Sequence, residues 1–324
     1  MSSVWKPVVF CVLLIVIACC GAHAAPSVAL VPLDNRPPCL DHAQRLALIA
    51  GLDLVTPPYS AIGAYTFDGK PERIERWLDT LDPAPDYLIV SLDMLAYGGL
   101  VASRLPGVPQ DQALSRLKAL DRFAAAHPRT HIFAFGIIQR IARTATGDPA
   151  YDNTTELLSK YLKLRDQAEI QKNAVLRAQA DALVAKIPEK QLEDLLAARA
   201  RNHAVNQASV ALAASGTVDY LVLAMDDNAE YGPHRTERDA LNRAIADAGI
   251  ADRALIKPGA DEAAQLLLAR AANHARGLRP RIALHFSPPQ AAHWIPPLED
   301  RPLADMAAAS LAVAGAIAVP GGER

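Results

Sequence analysis

Cysteine is scarce in this chain, and its placement limits it further. Of the four cysteines, Cys11, Cys19 and Cys20 fall in an apolar leader and Cys39 stands alone beyond it. Removal of that leader would leave no partner for an intramolecular disulfide, even in an oxidising compartment. A thiolate at Cys39 would need a nearby base; otherwise it is a small buried apolar residue. No CxxC occurs and the histidines are scattered, so no structural zinc site is expected. HExxH, G-x-S-x-G, G-x-G-x-x-G and the Walker pattern are also missing. Aromatic residues make up only 5% of the chain and the formal net charge is −2. That leaves neither the basic field nor the stacking surface that nucleic acid requires. It also argues against a long polysaccharide groove.

No apolar run is long enough to span a bilayer comfortably. The run at residues 8–18 has the length of a signal h-region, preceded by Lys6 and followed by Ala22-His23-Ala24, an A-x-A cleavage site. Residues 1–24 are therefore expected to be an export signal, with the mature protein periplasmic or secreted. Val16-Ile17-Ala18-Cys19 also matches a lipobox. Membrane attachment is expected only if Cys19 is lipidated.

Hydrophobic residues are plentiful at 51%, and they come in short runs without strict alternation. That is the pattern of strands buried on both faces. Strands are expected near 28–33, 52–56, 87–92, 131–138, 220–225, 254–256, 281–286 and 316–319, with helices near 42–50, 71–81, 112–126, 235–248, 261–276 and 303–313. The fold class is α/β, a mostly parallel sheet flanked by helices. An open doubly wound sheet and a (β/α)8-like barrel both suit the order. The missing helix after 316–319 favours the open sheet. Residues 155–214 lack strand character and read as a helical insertion, divided by Pro188, whose charges mark solvated faces. The expected organisation is one α/β domain over residues 25–324.

Several apolar runs end in acidic residues, and the carboxyl ends of parallel strands share one edge. Asp34-Asn35-Arg36 leaves the first strand into a loop stiffened by Pro37 and Pro38. Arg36 there suits an anionic group. Asp93 ends another strand and leads to Gly98-Gly99, with Ser103 and Arg104 beyond, a plausible ligand loop. Asp226-Asp227 ends a third. Adjacent carboxylates repel, so one pKa should rise, which suits acid catalysis. In some retaining hexosaminidases one such acid protonates the leaving oxygen while its neighbour orients the substrate's own nucleophile. Asp227 takes the first role and Asp226 the second. Asp34, Asn35, Asp93 and His234 are expected to bind substrate, with Arg36 and Arg140 holding an anionic group; Arg143 and His285 are further candidates. No cofactor is required. Alternatively Asp34, Asp93, Asp226 and Asp227 hold a divalent cation. Asp261 and Glu262 read most simply as the N-cap and first-turn charge of a helix.

The segments Val31-Pro32-Leu33-Asp34-Asn35-Arg36-Pro37 and Val90-Ser91-Leu92-Asp93-Met94-Leu95-Ala96-Tyr97-Gly98-Gly99-Leu100 carry a resemblance, together with Asp226-Asp227, Tyr231-Gly232 and Pro258-Gly259-Ala260-Asp261-Glu262. This set resembles the bacterial DUF4127 family. The resemblance implies one α/β unit and no particular reaction. Members generally run longer, which implies that a C-terminal part is absent or divergent here. From the residues, the expected function is hydrolysis of a small saccharide or cell-wall-derived glycoside in an acidic strand-end pocket. The alternatives are a metal-dependent phosphoester or amide hydrolase, and a non-catalytic solute-binding protein.

Overall fold

The computed structural model describes residues 25–141, 149–226, 228–296 and 299–320. The expected export signal with Cys19, Arg143, Asp227 and residues 321–324 lie outside them. Six parallel strands form the main sheet: β1 (Ser27–Val31), β2 (Asp53–Val55), β3 (Tyr87–Ser91), β4 (His131–Ile138), β5 (Tyr220–Met225) and β6 (Ala254–Pro258). Their order is 2-1-3-4-5-6, so β1 is flanked by β2 and β3. The last two strands do not join this sheet. β7 (Arg281–Leu284) and β8 (Ile317–Pro320) pair in parallel with each other.

The sheet separates two apolar cores, as its non-alternating strands require. On one face Val31, Val90, Ala134, Leu221 and Leu223 meet α2 (Pro71–Asp79), α3 (Leu92–Tyr97), α4 (Gln110–Ala126), α8 (Glu189–Ser215) and α9 (Pro233–Asp247). On the other, Leu30, Ile89, Phe135 and Val222 meet α1 (Asp41–Ile49) and α10 (Ala263–Ala275), with Val313 of α11 (Leu303–Val313). Among the described residues no helix is long and apolar enough to cross a membrane.

The helical region is less separate than expected. After α5 (Pro149–Asp152), α6 (Thr155–Gln171) and α7 (Ala174–Val184) pack as a hairpin around Leu158, Tyr161, Leu162 and Leu183. The break between them is capped by Asn173, whose side chain accepts from the Val175 and Leu176 N–H groups. Pro188 caps α8, a helix that belongs to the main core through Val205, Val210 and Ala213. Nor are its charges all solvated. Arg199 and Arg201 are buried, Arg199 paired with Glu237 and Arg201 donating to the Leu105 and Val108 carbonyls.

The segment after β3 is α3, where the sequence suggested a ligand loop. Ser91 caps it, its hydroxyl accepting from the Met94 N–H at 3.2 Å, and Gly98 ends it in the left-handed conformation. All six residues of α3 are buried. Gly98 has φ 98°, and a Cβ there would lie 2.7 Å from the Gly69 carbonyl oxygen. Gly98→Ala should therefore destabilise the fold by about 1–3 kcal/mol. A urea midpoint lowered at unchanged slope would show it; an unchanged midpoint would mean that the contact relaxes freely.

Candidate functional site

The carboxyl ends of β1, β5 and β6 deliver their loops to one pocket of ≈ 360 Å³, within the range of small-ligand sites. Its walls include Arg36, Tyr65, Arg104, Arg140, Asp226, Asp261, Glu262 and Glu299. These residues come from distant parts of the chain, as the strand-end pattern implied.

Arg36 joins two of the loops. Its Nε donates to Asp34 Oδ2 at 2.9 Å, while Nη2 donates to Asp261 Oδ1 at 2.8 Å and Nη1 to Asp261 Oδ2 at 3.1 Å. Burial works against this charge. Asp34 and Asp261 outweigh that penalty and raise the Arg36 pKa. Cys39 is buried beside the pair, and desolvation pushes its thiol up. A resting thiolate is therefore disfavoured.

Arg104 forms the second centre. It ends a 3-10 turn (Ala102–Arg104) that α8 holds in place. The Asn202 amide donates to the Ser103 carbonyl at 2.7 Å and to Gln139 Oε1 at 3.1 Å. From that turn Arg104 Nη2 reaches Asp226 Oδ2, an ion pair with both side chains largely buried. Desolvation raises the Asp226 pKa, opposed by Arg104 and Arg140; burial wins. Behind them Asp93, 3% exposed, accepts the Ile137 N–H at 2.9 Å. Desolvation, reinforced by Asp226, lifts Asp93 to about 7.

The third wall is the loop after β6. Here Asp261 and Glu262 are not the cap and first-turn charge expected of them. α10 begins at Ala263 without a side-chain cap, because both carboxylates are committed elsewhere. Asp261 holds Arg36, and Glu262 Oε1 accepts from the fully buried Lys257 at 2.7 Å. Gly259 makes room for this turn: a Cβ on it would lie 1.8 Å from Glu262 Oε1. Glu299 accepts from Asn228 Nδ2 at 2.9 Å, and desolvation, Asp300 and Glu262 raise its pKa. Among the described residues, Asn228 Oδ1 is buried without a hydrogen-bond partner. A buried amide oxygen left in that state favours an added donor.

The remaining expected residues are placed as follows. Asp34 and Asp93 sit behind the pocket wall and hold it. Asn35 donates to the Tyr59 hydroxyl at 3.2 Å, away from the pocket lining. Arg140 lines the pocket. His234 is buried, with Nε2 2.9 Å from the Ala229 carbonyl, and lines a neighbouring cavity of ≈ 350 Å³ that shares Met225, Asn228 and Glu299 with the first. His285 follows β7 in the separate two-stranded sheet. Among the described residues, no three His, Cys, Asp or Glu side chains are grouped so that they could hold a metal ion. Asp34, Asp93 and Asp226 are each engaged by a different partner.

The family model for a protein of unknown function, DUF4127, matches residues 28–324. The chain belongs to the DUF4127 family. No curated protein and no solved structure matches it. The match spans every loop of the pocket, so this arrangement lies wholly within the DUF4127 region.

Asp93 gives a pH prediction. An unfolded aspartate titrates near 4, whereas the folded one is held near 7. The folded state therefore binds the proton more tightly, and stability must fall as pH rises from about 4 to about 7. Urea denaturation at pH 5 and pH 8 should show a loss on the order of a few kcal/mol in the wild type and a smaller one in Asp93→Asn. Equal losses in the two proteins would show that Asp93 is not the group responsible.

Proposed function

We propose that the protein is an exported hydrolase of a small saccharide or cell-wall-derived glycoside that carries an anionic group. What supports this reading is Asp226. Burial favours its protonated form although three arginines, Arg36, Arg104 and Arg140, share its pocket. A carboxyl group whose pKa burial raises beside fixed positive charge marks a site suited to acid chemistry on an anionic substrate. Arg36 has committed its donors to Asp34 and Asp261, so it contributes field more than contact. Arg104 and Arg140 face the ligand, and Asn228 Oδ1 accepts from a hydroxyl.

Asp227, next in the chain, is assigned as proton donor and Asp226 as the orienting or stabilising carboxylate. The donor passes its proton to the leaving oxygen as the glycosidic C–O bond breaks. Water then supplies the hydroxyl at the sugar carbon, and its other proton returns to the carboxylate. The export signal read at residues 1–24 supports a periplasmic or extracellular location for this activity.

One observation favours a second reading, a solute-binding protein without catalysis. Four pocket carboxylates already have partners: Asp226 with Arg104, Asp261 with Arg36, Glu262 with Lys257 and Glu299 with Asn228. Such a wall is built to recognise. The two readings part on turnover. In a screen of aryl glycosides and glycosiduronates, the hydrolase gives chelator-insensitive release with a bell-shaped pH profile. Asp226→Asn and Asp227→Asn should then each lower kcat by about 10²–10⁴-fold with the fold intact. Thermal stabilisation by ligand without release would favour the binding protein, and full activity in Asp227→Asn would remove the acid assignment.

A further inference from the structure

Among the described residues, two that are not glycine have positive φ: Lys172 at 49° and Tyr65 at 53°. Lys172 is explained by its place just past the end of α6, where left-handed residues are common. Tyr65 has no such explanation. Ala64 and Phe67 form an isolated antiparallel bridge, the N–H of each donating to the other's carbonyl at 2.8 and 3.0 Å. Tyr65 is thus the first residue of a two-residue turn, with a φ that such turns ordinarily give to glycine. Here a bulky aromatic occupies it at a conformational cost.

The turn is held on three sides. The Asn35 N–H donates to the Gly63 carbonyl at 3.0 Å, Gly69 N–H to Gly98 carbonyl at 2.7 Å, and Lys70 N–H to Ala61 carbonyl at 2.9 Å. Gly63 and Gly69 are packed so closely that a Cβ on either would lie within 2.8 Å of another backbone atom. The aromatic side chain is therefore presented by a rigid frame tied to the β1 loop and to the end of α3. Tyr65 is 52% exposed and lines the same pocket as Arg36, Arg104 and Asp226. Tyr59 and Phe67, in the same loop, are exposed too, in a chain with few aromatics.

We propose that Tyr65 is the platform on which the ring of the ligand stacks, making the pocket specific for a hexuronic acid residue. The inference rests on the saccharide reading of the pocket and names its substrate class. The C–H face of a pyranose is apolar and packs on an aromatic face, while Arg104 and Arg140 in the pocket wall favour a carboxylate on the same sugar. A strained backbone maintained at a site wall is the mark of a position kept for binding rather than stability.

Calorimetric titration with D-glucuronate and with D-gluconate tests this directly. Both carry one carboxylate and several hydroxyls, but gluconate is acyclic and has no ring face. The wild type should bind glucuronate about tenfold more tightly. Tyr65→Phe should retain that preference. Tyr65→Gly should lose about tenfold in glucuronate affinity, leave gluconate unchanged, and hold or raise the melting temperature. Unchanged glucuronate binding in Tyr65→Gly would overturn the platform while the saccharide reading stands. Equal loss of both probes would overturn it too, since only pocket shape would then be involved. Binding of neither probe to the wild type would remove the hexuronate assignment, and with it the anionic-saccharide reading beneath it.

Discussion

The arrangement of this molecule turns on a single guanidinium. Arg36 leaves the end of β1 and binds Asp34 beside it and Asp261 more than two hundred residues later. Asp34 is buried, and losing Arg36 would leave its charge uncompensated. Asp261 is more exposed, and its two hydrogen bonds from the same guanidinium set the geometry between the loops. The loop after β1, the start of α10 and the thiol of Cys39 are fixed together. The pocket is the space left between them and the Arg104–Asp226 pair.

Topology explains why loops so far apart meet. The step from β1 to β2 runs one way along the sheet, and every later step runs the other way. Crossovers of one hand then place α1 on one face and α2, α4, α8 and α9 on the opposite face. The α1 face would leave Ile89, Phe135 and Val222 exposed. Helix α10 covers them by lying back from the edge strand β6 across β4 and β3, against α1. Its start is carried over the carboxyl edge of the sheet, and Asp261 and Glu262 travel with it. Burial of the second core and assembly of the site are one event.

Much of this was legible in the residues. Buried strands reveal themselves by unbroken apolar runs, and β4, β5 and α11 fall where the runs predict. The convergence of Arg36, Arg140 and Asp226 followed from the rule that parallel strands share an edge. What escaped was whatever depends on tertiary partners. The 92–97 segment looked like part of a loop because Gly98 and Gly99 stood out beyond it; the Ser91 cap and complete burial make it a helix. Asp261 looked like an N-cap because a helix follows it, but Arg36 claims its carboxylate. Glu299 and Tyr65 carried no local signal. Tyr65 in particular occupies a turn that sequence rules reserve for glycine, and such local contradictions gather where binding outweighs stability.

The two arginine centres also differ in what they allow. Arg36 is saturated by two carboxylates, and Coulomb attraction exceeds burial there, so the guanidinium stays charged. At Arg104 the balance is reversed. Burial raises both Asp226 and Asp93 beside it, and the repulsion between these two carboxylates adds to the effect at Asp93. On the hydrolase reading this difference divides the labour. The Arg36 clamp holds the walls. The Arg104 centre can exchange a proton for an anion: once Asp226 is protonated, its hold on Arg104 weakens and the guanidinium turns to the ligand's negative group. Ligand binding and proton uptake then favour one another.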